Sequence, residues 1–121
     1  MLKKYILDAN GNPVVCTDLM AWAAWYETGD QRRLAFDQVR EVKISTVFLG
    51  LDHNFAMTGP PILWETMIFG GPFDRELYRY TTRDLALIGH AEALLMVKTT
   101  MRHKQHLRGN ATNGRLREPA L

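Results

Sequence analysis

Between residues 42 and 49 the side chains alternate, with Val42, Ile44, Thr46 and Phe48 on one face and Lys43, Ser45, Val47 and Leu49 on the other. That two-residue period is the signature of a strand. Leu63 to Phe69 predicts a second strand, closed by Gly70-Gly71-Pro72. Upstream, Lys4 to Leu7 and Val14 to Thr17 are short β-rich runs on either side of Asp8-Ala9-Asn10-Gly11-Asn12-Pro13. Asn-Gly supplies positive φ cheaply, so these two runs predict a hairpin. Strand character returns from Leu34 onward, and Tyr78-Arg79-Tyr80 predicts a last short strand.

Two stretches carry the helical period instead. Leu19, Trp22, Ala23 and Tyr26 fall at i, i+3, i+4 and i+7, with Thr17 or Asp18 available as the cap and Gly29 as the stop. Thr81, with Asp84 three residues on, resembles a capping box for a helix running to about residue 101. Leu85, Ala86, Leu87, Ile88, Ala91, Ala93, Leu94, Leu95, Met96 and Val97 leave this helix almost no polar sector, so it wants cover all round. The order β-β-α-β-β-β-β-α predicts an α+β domain over residues 1–101, an antiparallel β-sheet packed by two α-helices. Residues 102–121, with Gly109, Asn110, Asn113, Gly114 and Pro119, predict a basic flexible tail.

Charge sharpens that division. Residues 1–97 hold nine Lys/Arg against twelve Asp/Glu, whereas residues 98–121 hold six against Glu118 alone, so a mildly acidic body precedes a basic tail. The tail could contact nucleic-acid phosphates, although a solvated extension explains it better. The single Cys16 permits no intrachain disulfide. The apolar run behind Met1-Leu2-Lys3-Lys4 ends at Asp8, too short for a secretory signal or a membrane span, and the expectation is a cytoplasmic protein with no membrane partner. Strands apolar on both faces leave surface that two helices cannot cover, which predicts a homo-oligomer joined through a sheet face or the last helix.

Candidate chemistry is sparse. The long loop 50–62 presents Asp52, His53 and Asn54, a triplet able to bind a ligand or, if the backbone bends sharply, to pair an imidazole with a carboxylate. Glu65 interrupts an apolar strand face and needs a partner such as Arg79 or a tyrosine hydroxyl. Tyr78 and Tyr80 face one way and Arg79 the other, groups that can stack a base and hold a phosphate or simply form an edge strand. His90 sits on an apolar helix face, where a core residue satisfied by a hydrogen bond is the ordinary reading. Glu92, about 200° around the helix, cannot share a metal with it. If His53, Glu65 and His90 converged, they would make a two-histidine, one-carboxylate metal set. His103 and His106 form a weaker pair in the tail. No phosphate loop, nucleophile elbow or Cys-His zinc pattern occurs.

Val47-Phe48-Leu49-Gly50-Leu51-Asp52-His53, Trp64-Glu65-Thr66-Met67-Ile68-Phe69-Gly70-Gly71, Tyr80-Thr81-Thr82 and Gly89-His90 together resemble a family of small proteins encoded by tailed bacteriophages and prophages. The resemblance spans about residues 3–98, departs at the tail, and carries over no catalytic residues. It implies an accessory protein of the infected cell's cytoplasm with a counter-defence role. The sequence thus predicts a non-catalytic homo-oligomer without cofactor, binding a small nucleotide-like molecule or a host protein through Asp52, His53, Asn54, Glu65, Tyr78, Arg79, Tyr80 and His90. Two alternatives are a metal-dependent hydrolase using His53, Glu65 and His90, and a virion or assembly component.

Overall fold

The computed structural model describes residues 2–56 and 58–112, with side chains described as far as Arg102. Strands β1 (Tyr5–Leu7) and β2 (Pro13–Val15) form a hairpin, followed by helix α1 (Leu19–Tyr26) and a single 3-10 turn, Asp30–Arg32. Then come β3 (Arg33–Val39), β4 (Val42–Phe48), β5 (Trp64–Phe69), β6 (Leu77–Tyr80) and the long helix α2 (Arg83–Thr112). This is the α+β order that the alternation predicts. The four later strands make an antiparallel meander, β3-β4-β5-β6, in which sequence neighbours are also neighbours in space.

The two-residue period decides which face is covered. Val42, Ile44 and Phe48 of β4 and Trp64 and Ile68 of β5 are buried beneath α2, which meets them with Ala86, Ala93, Val97 and Met101. Alanines at two of those positions let the helix settle close to the sheet. Each fully buried large apolar side chain contributes about 1.5–3 kcal/mol, so this layer is the main source of stability. Among the described residues no element covers the opposite face. Phe36, Ser45, Met67 and Leu77 form one cross-strand row there, with Phe36 and Leu77 41% exposed and Phe69 of the next row 44% exposed.

A two-stranded hairpin is marginal alone and needs anchorage. Tyr5 N–H donates to the Gly50 carbonyl, Asp52 N–H to the Lys3 carbonyl, and Lys4 bridges to Leu51. Helix α1 completes the joint: the Trp22 indole donates to the Tyr5 and Gly50 carbonyls at 3.2 and 3.0 Å. Gly50 has φ +76°, and a Cβ there would come within 3.2 Å of the Tyr26 ring, so glycine is required at this crossing. Asp18 caps α1, its carboxylate accepting from the Met20 and Ala21 N–H groups at 3.0 and 3.1 Å.

Helix α2 departs from expectation in three ways. Its cap is Thr82 rather than Thr81, the hydroxyl accepting from Leu85 N–H at 3.1 Å. It continues past residue 101 to Thr112, because Lys, Arg, Gln and Leu are good helix formers and a polar composition alone does not stop a helix. The remainder of the expected tail, residues 113–121, lies outside the described residues, and so do the side chains of His103 and His106. Nor is α2 covered all round, since Leu85, Ile88 and Leu95 are exposed.

Candidate functional site

Between edge strand β6 and α2 runs a groove of about 510 Å³. Tyr78, Arg79 and Tyr80 form its strand side, and Leu85, Ile88 and Met96 much of its helix side, with Glu92 among the lining residues. Hydrogen-bonded and non-bonded positions alternate along an antiparallel pair. Because Ile68 N–H donates to the Glu76 carbonyl, the phase directs the N–H and C=O of Leu77 and Arg79 away from β5. No strand among the described residues pairs with them. The groove therefore combines an apolar floor with an unpaired backbone edge.

The guanidinium and the Tyr78 phenol here are already engaged. Arg79 Nε donates to Glu65 Oε2 at 2.9 Å on the uncovered sheet face, which settles the partner that Glu65 needed. Tyr78 donates its hydroxyl proton to Glu76 at 2.6 Å. That hydrogen bond, with burial and the nearby Glu76 charge, pushes the Tyr78 phenol above its ordinary value. Among the described lining residues Arg79 is the one cation, it is paired, and Glu92 is nearby, so none of them offers a phosphate a counter-charge at the tyrosine pair.

A buried chain of polar groups crosses the helix–sheet interface beside the groove. His90, 5% exposed, contacts Asp37 Oδ2 through Nε2 at 2.8 Å and Thr46 Oγ1 through Nδ1 at 2.7 Å. Thr46 bonds Thr66, its cross-strand neighbour, and Tyr80 donates to Thr66 Oγ1 at 3.1 Å. A neutral His90 satisfies every member with one polarity: Tyr80 donates to Thr66, Thr66 to Thr46, Thr46 to Nδ1, and Nε2–H to the Asp37 carboxylate. Aspartate, histidine and a hydroxyl are the residue types of a nucleophilic triad. Thr46 is 0% exposed, however, and no substrate carbonyl can reach it. The chain fixes how α2 lies on the sheet. Asp37 and Thr46 were not among the residues singled out from the sequence.

The loop triplet is occupied by its own backbone. Asp52 Oδ1 accepts from the N–H groups of Asn54 and Ile62 at 2.8 and 3.0 Å. The Asn54 amide donates to the Thr58 and Pro60 carbonyls, both at 2.8 Å. His53 Nδ1 donates to the Leu51 carbonyl at 2.8 Å, so Asp52 and His53 form no dyad. The metal set does not assemble either. Glu65 is on the sheet face away from α2, His90 is on the sheet-facing side of α2 with both ring nitrogens bonded, and His53 is in the loop. Among the described residues no group of three or more histidine, cysteine, aspartate or glutamate side chains can hold a metal.

Comparison of the chain with family models, with curated proteins and with solved structures finds no match. Among the described residues no helix is long and apolar enough to cross a membrane.

Proposed function

We propose that this chain is a non-catalytic binding protein that captures an extended segment of a partner protein along β6. The observation that carries this reading is the unpaired outer edge of β6 standing beside an apolar groove. A strand edge is complementary to another extended backbone, and alternate side chains of an added strand would fall into the groove. Exposed edges invite unwanted pairing, and proteins blunt them with charge, proline or bulges; β6 has only Arg79, neutralised by Glu65. Glu92 and the paired Glu76 favour a partner segment with apolar and basic residues. It is compatible with the accessory role that the phage resemblance implies, and needs no cofactor. A nucleotide-like ligand at Tyr78, Arg79 and Tyr80 is disfavoured by the engaged guanidinium. A second reading, self-association through the uncovered sheet face, is supported by the apolar row Phe36, Met67 and Leu77 and is compatible with a free β6 edge.

Panning a random peptide display library on the full chain, followed by fluorescence polarisation with a selected peptide, tests the docking. Ile88→Asp, at a groove residue 56% exposed, is expected to weaken binding about tenfold or more while leaving the fold intact. Leu77→Pro, which removes one outward N–H from an edge strand, is expected to do the same. Binders that tolerate both changes, or a library that yields none, would sink the reading.

A further inference from the structure

A second, smaller cavity lies at the other end of the α2 interface, beside the hairpin. It measures about 190 Å³, and its wall includes Arg32, Arg33, Arg83 and Trp64. No acidic residue lines it. Among the described residues the ion pairs are Arg75 with Asp74, Arg79 with Glu65 and His90 with Asp37, so none of these three arginines is matched by a carboxylate. Arg32 and Arg33 lie instead over the Tyr26 and Phe36 rings, 3.9 and 4.7 Å from the centroids.

Among the described residues two buried side-chain donors have no acceptor, Arg32 Nε and Trp64 Nε1. Both belong to residues lining this one cavity, and Trp64 is only 1% exposed. An unpaired buried N–H costs about 1–3 kcal/mol, more when charged, so two at one place require an explanation. A ligand bearing several acceptor oxygens supplies it. Arg83 is the first residue of α2, whose N-terminal turn adds partial positive charge toward the same end.

The surroundings limit the ligand further. Gly11, at the hairpin turn with φ +79°, faces Arg83: a Cβ there would stand 4.0 Å from Arg83 Nε. The cavity is thus closed on one side by a turn whose Asp8 carboxylate accepts from the Asn10 and Asn12 N–H groups, both at 2.9 Å. Asp84 in the first turn of α2 and Asp30 before Arg32 temper the positive charge without lining the cavity. The volume suits one oxyanion group and is below that of a site for a whole cofactor. An adjoining cavity of about 500 Å³ shares Leu7, Gly11 and Gln31 and adds Asp8, Ala9 and Trp25; Ala9 and Trp25 are surfaces for an organic ring, and the Asp8 carboxylate already accepts from the N–H groups of its own turn.

We propose that Arg32, Arg83 and Trp64 bind the phosphate group of a small phosphomonoester, whose organic part lies against Leu7, Ala9 and Trp25. This site is independent of the β6 groove, so either can fail while the other stands. The test is a proton–nitrogen NMR titration of the full chain with inorganic phosphate and with phenyl phosphate, following the three indole N–H resonances. The Trp64 indole resonance is expected to shift saturably with both probes. Phenyl phosphate should bind about tenfold tighter than inorganic phosphate and also move the Trp25 resonance. Arg83→Gln is expected to weaken both by about tenfold or more with the fold unchanged, while Lys43→Gln, on the uncovered sheet face, leaves them unaltered. A Trp64 resonance that stays fixed, equal shifts with Arg83→Gln and the parent, or shifts reproduced by sodium chloride at matched ionic strength would overturn the assignment.

Discussion

The environment of Tyr78 moves its titration clearly. The hydrogen bond to Glu76 leads, burial and the Glu76 charge add to it, and all three favour the protonated phenol. Since the folded value is raised above the unfolded one of about 10, the linked stability is complete below that pH. It is lost as pH rises through the folded value. An ultraviolet titration of the parent minus that of Tyr78→Phe should therefore give a difference curve with its midpoint above the ordinary tyrosine value. Glu76→Gln should lower that midpoint, and a difference curve centred on the ordinary tyrosine value would contradict this. The same scale marks the limit of the sequence. His90 was legible as a shielded core residue because its helical neighbours are apolar. Its partner Asp37 was not, because β3 carries a register irregularity between Arg33 and Ala35 that erases the phase from which an inward carboxylate would be read.

At the scale of elements, alternation, turn chemistry and caps located the strands and helices of the described residues, yet they could not say how α2 lies on the sheet. Gly89 and Tyr80 decide that together. A Cβ on Gly89 would collide with the Tyr80 ring, so the missing side chain lets the phenol pass under the helix to reach Thr66. A glycine inside a helix is ordinarily unfavourable by about 1 kcal/mol relative to alanine. Here Gly89→Ala should destabilise the chain instead, because overpacking costs about 1–3 kcal/mol and Tyr80 is driven off its acceptor. In a Tyr80→Ala background the obstacle is gone, and the same substitution should be neutral or stabilising. Urea unfolding of the four proteins measures the change of sign; destabilisation of equal size in both backgrounds would mean that the ring is not what the glycine accommodates. Neither residue advertised this in the sequence, since their contact joins a strand end to the middle of a helix.

At the scale of the whole molecule, one copy hides only one side of its sheet. Four strands at about 4.8 Å spacing and some six residues long expose a flat projection of about 400 Å², and corrugated side chains raise its accessible area. That approaches the low end of interfaces that hold two proteins together, about 600 Å² per partner. The row Phe36, Met67 and Leu77, with Phe69 beside it, supplies an apolar centre, while Lys43 and the Arg79–Glu65 pair place both signs of charge around it. A second copy presenting the same face meets no single-sign repulsion and buries the phenylalanines. The alternative surface on α2 is a narrower stripe, Leu85, Ile88 and Leu95, interrupted by Glu92. The expected state is therefore a reversible dimer through the sheet face. Phe69→Lys combined with Phe36→Glu should give monomers in native mass spectrometry and sedimentation velocity at concentrations where the parent dimerises. Leu95→Lys should leave the dimer intact. Dissociation by the helix change and not by the sheet changes would move the interface to α2, and a parent that stays monomeric at every accessible concentration would leave the sheet face to a different partner.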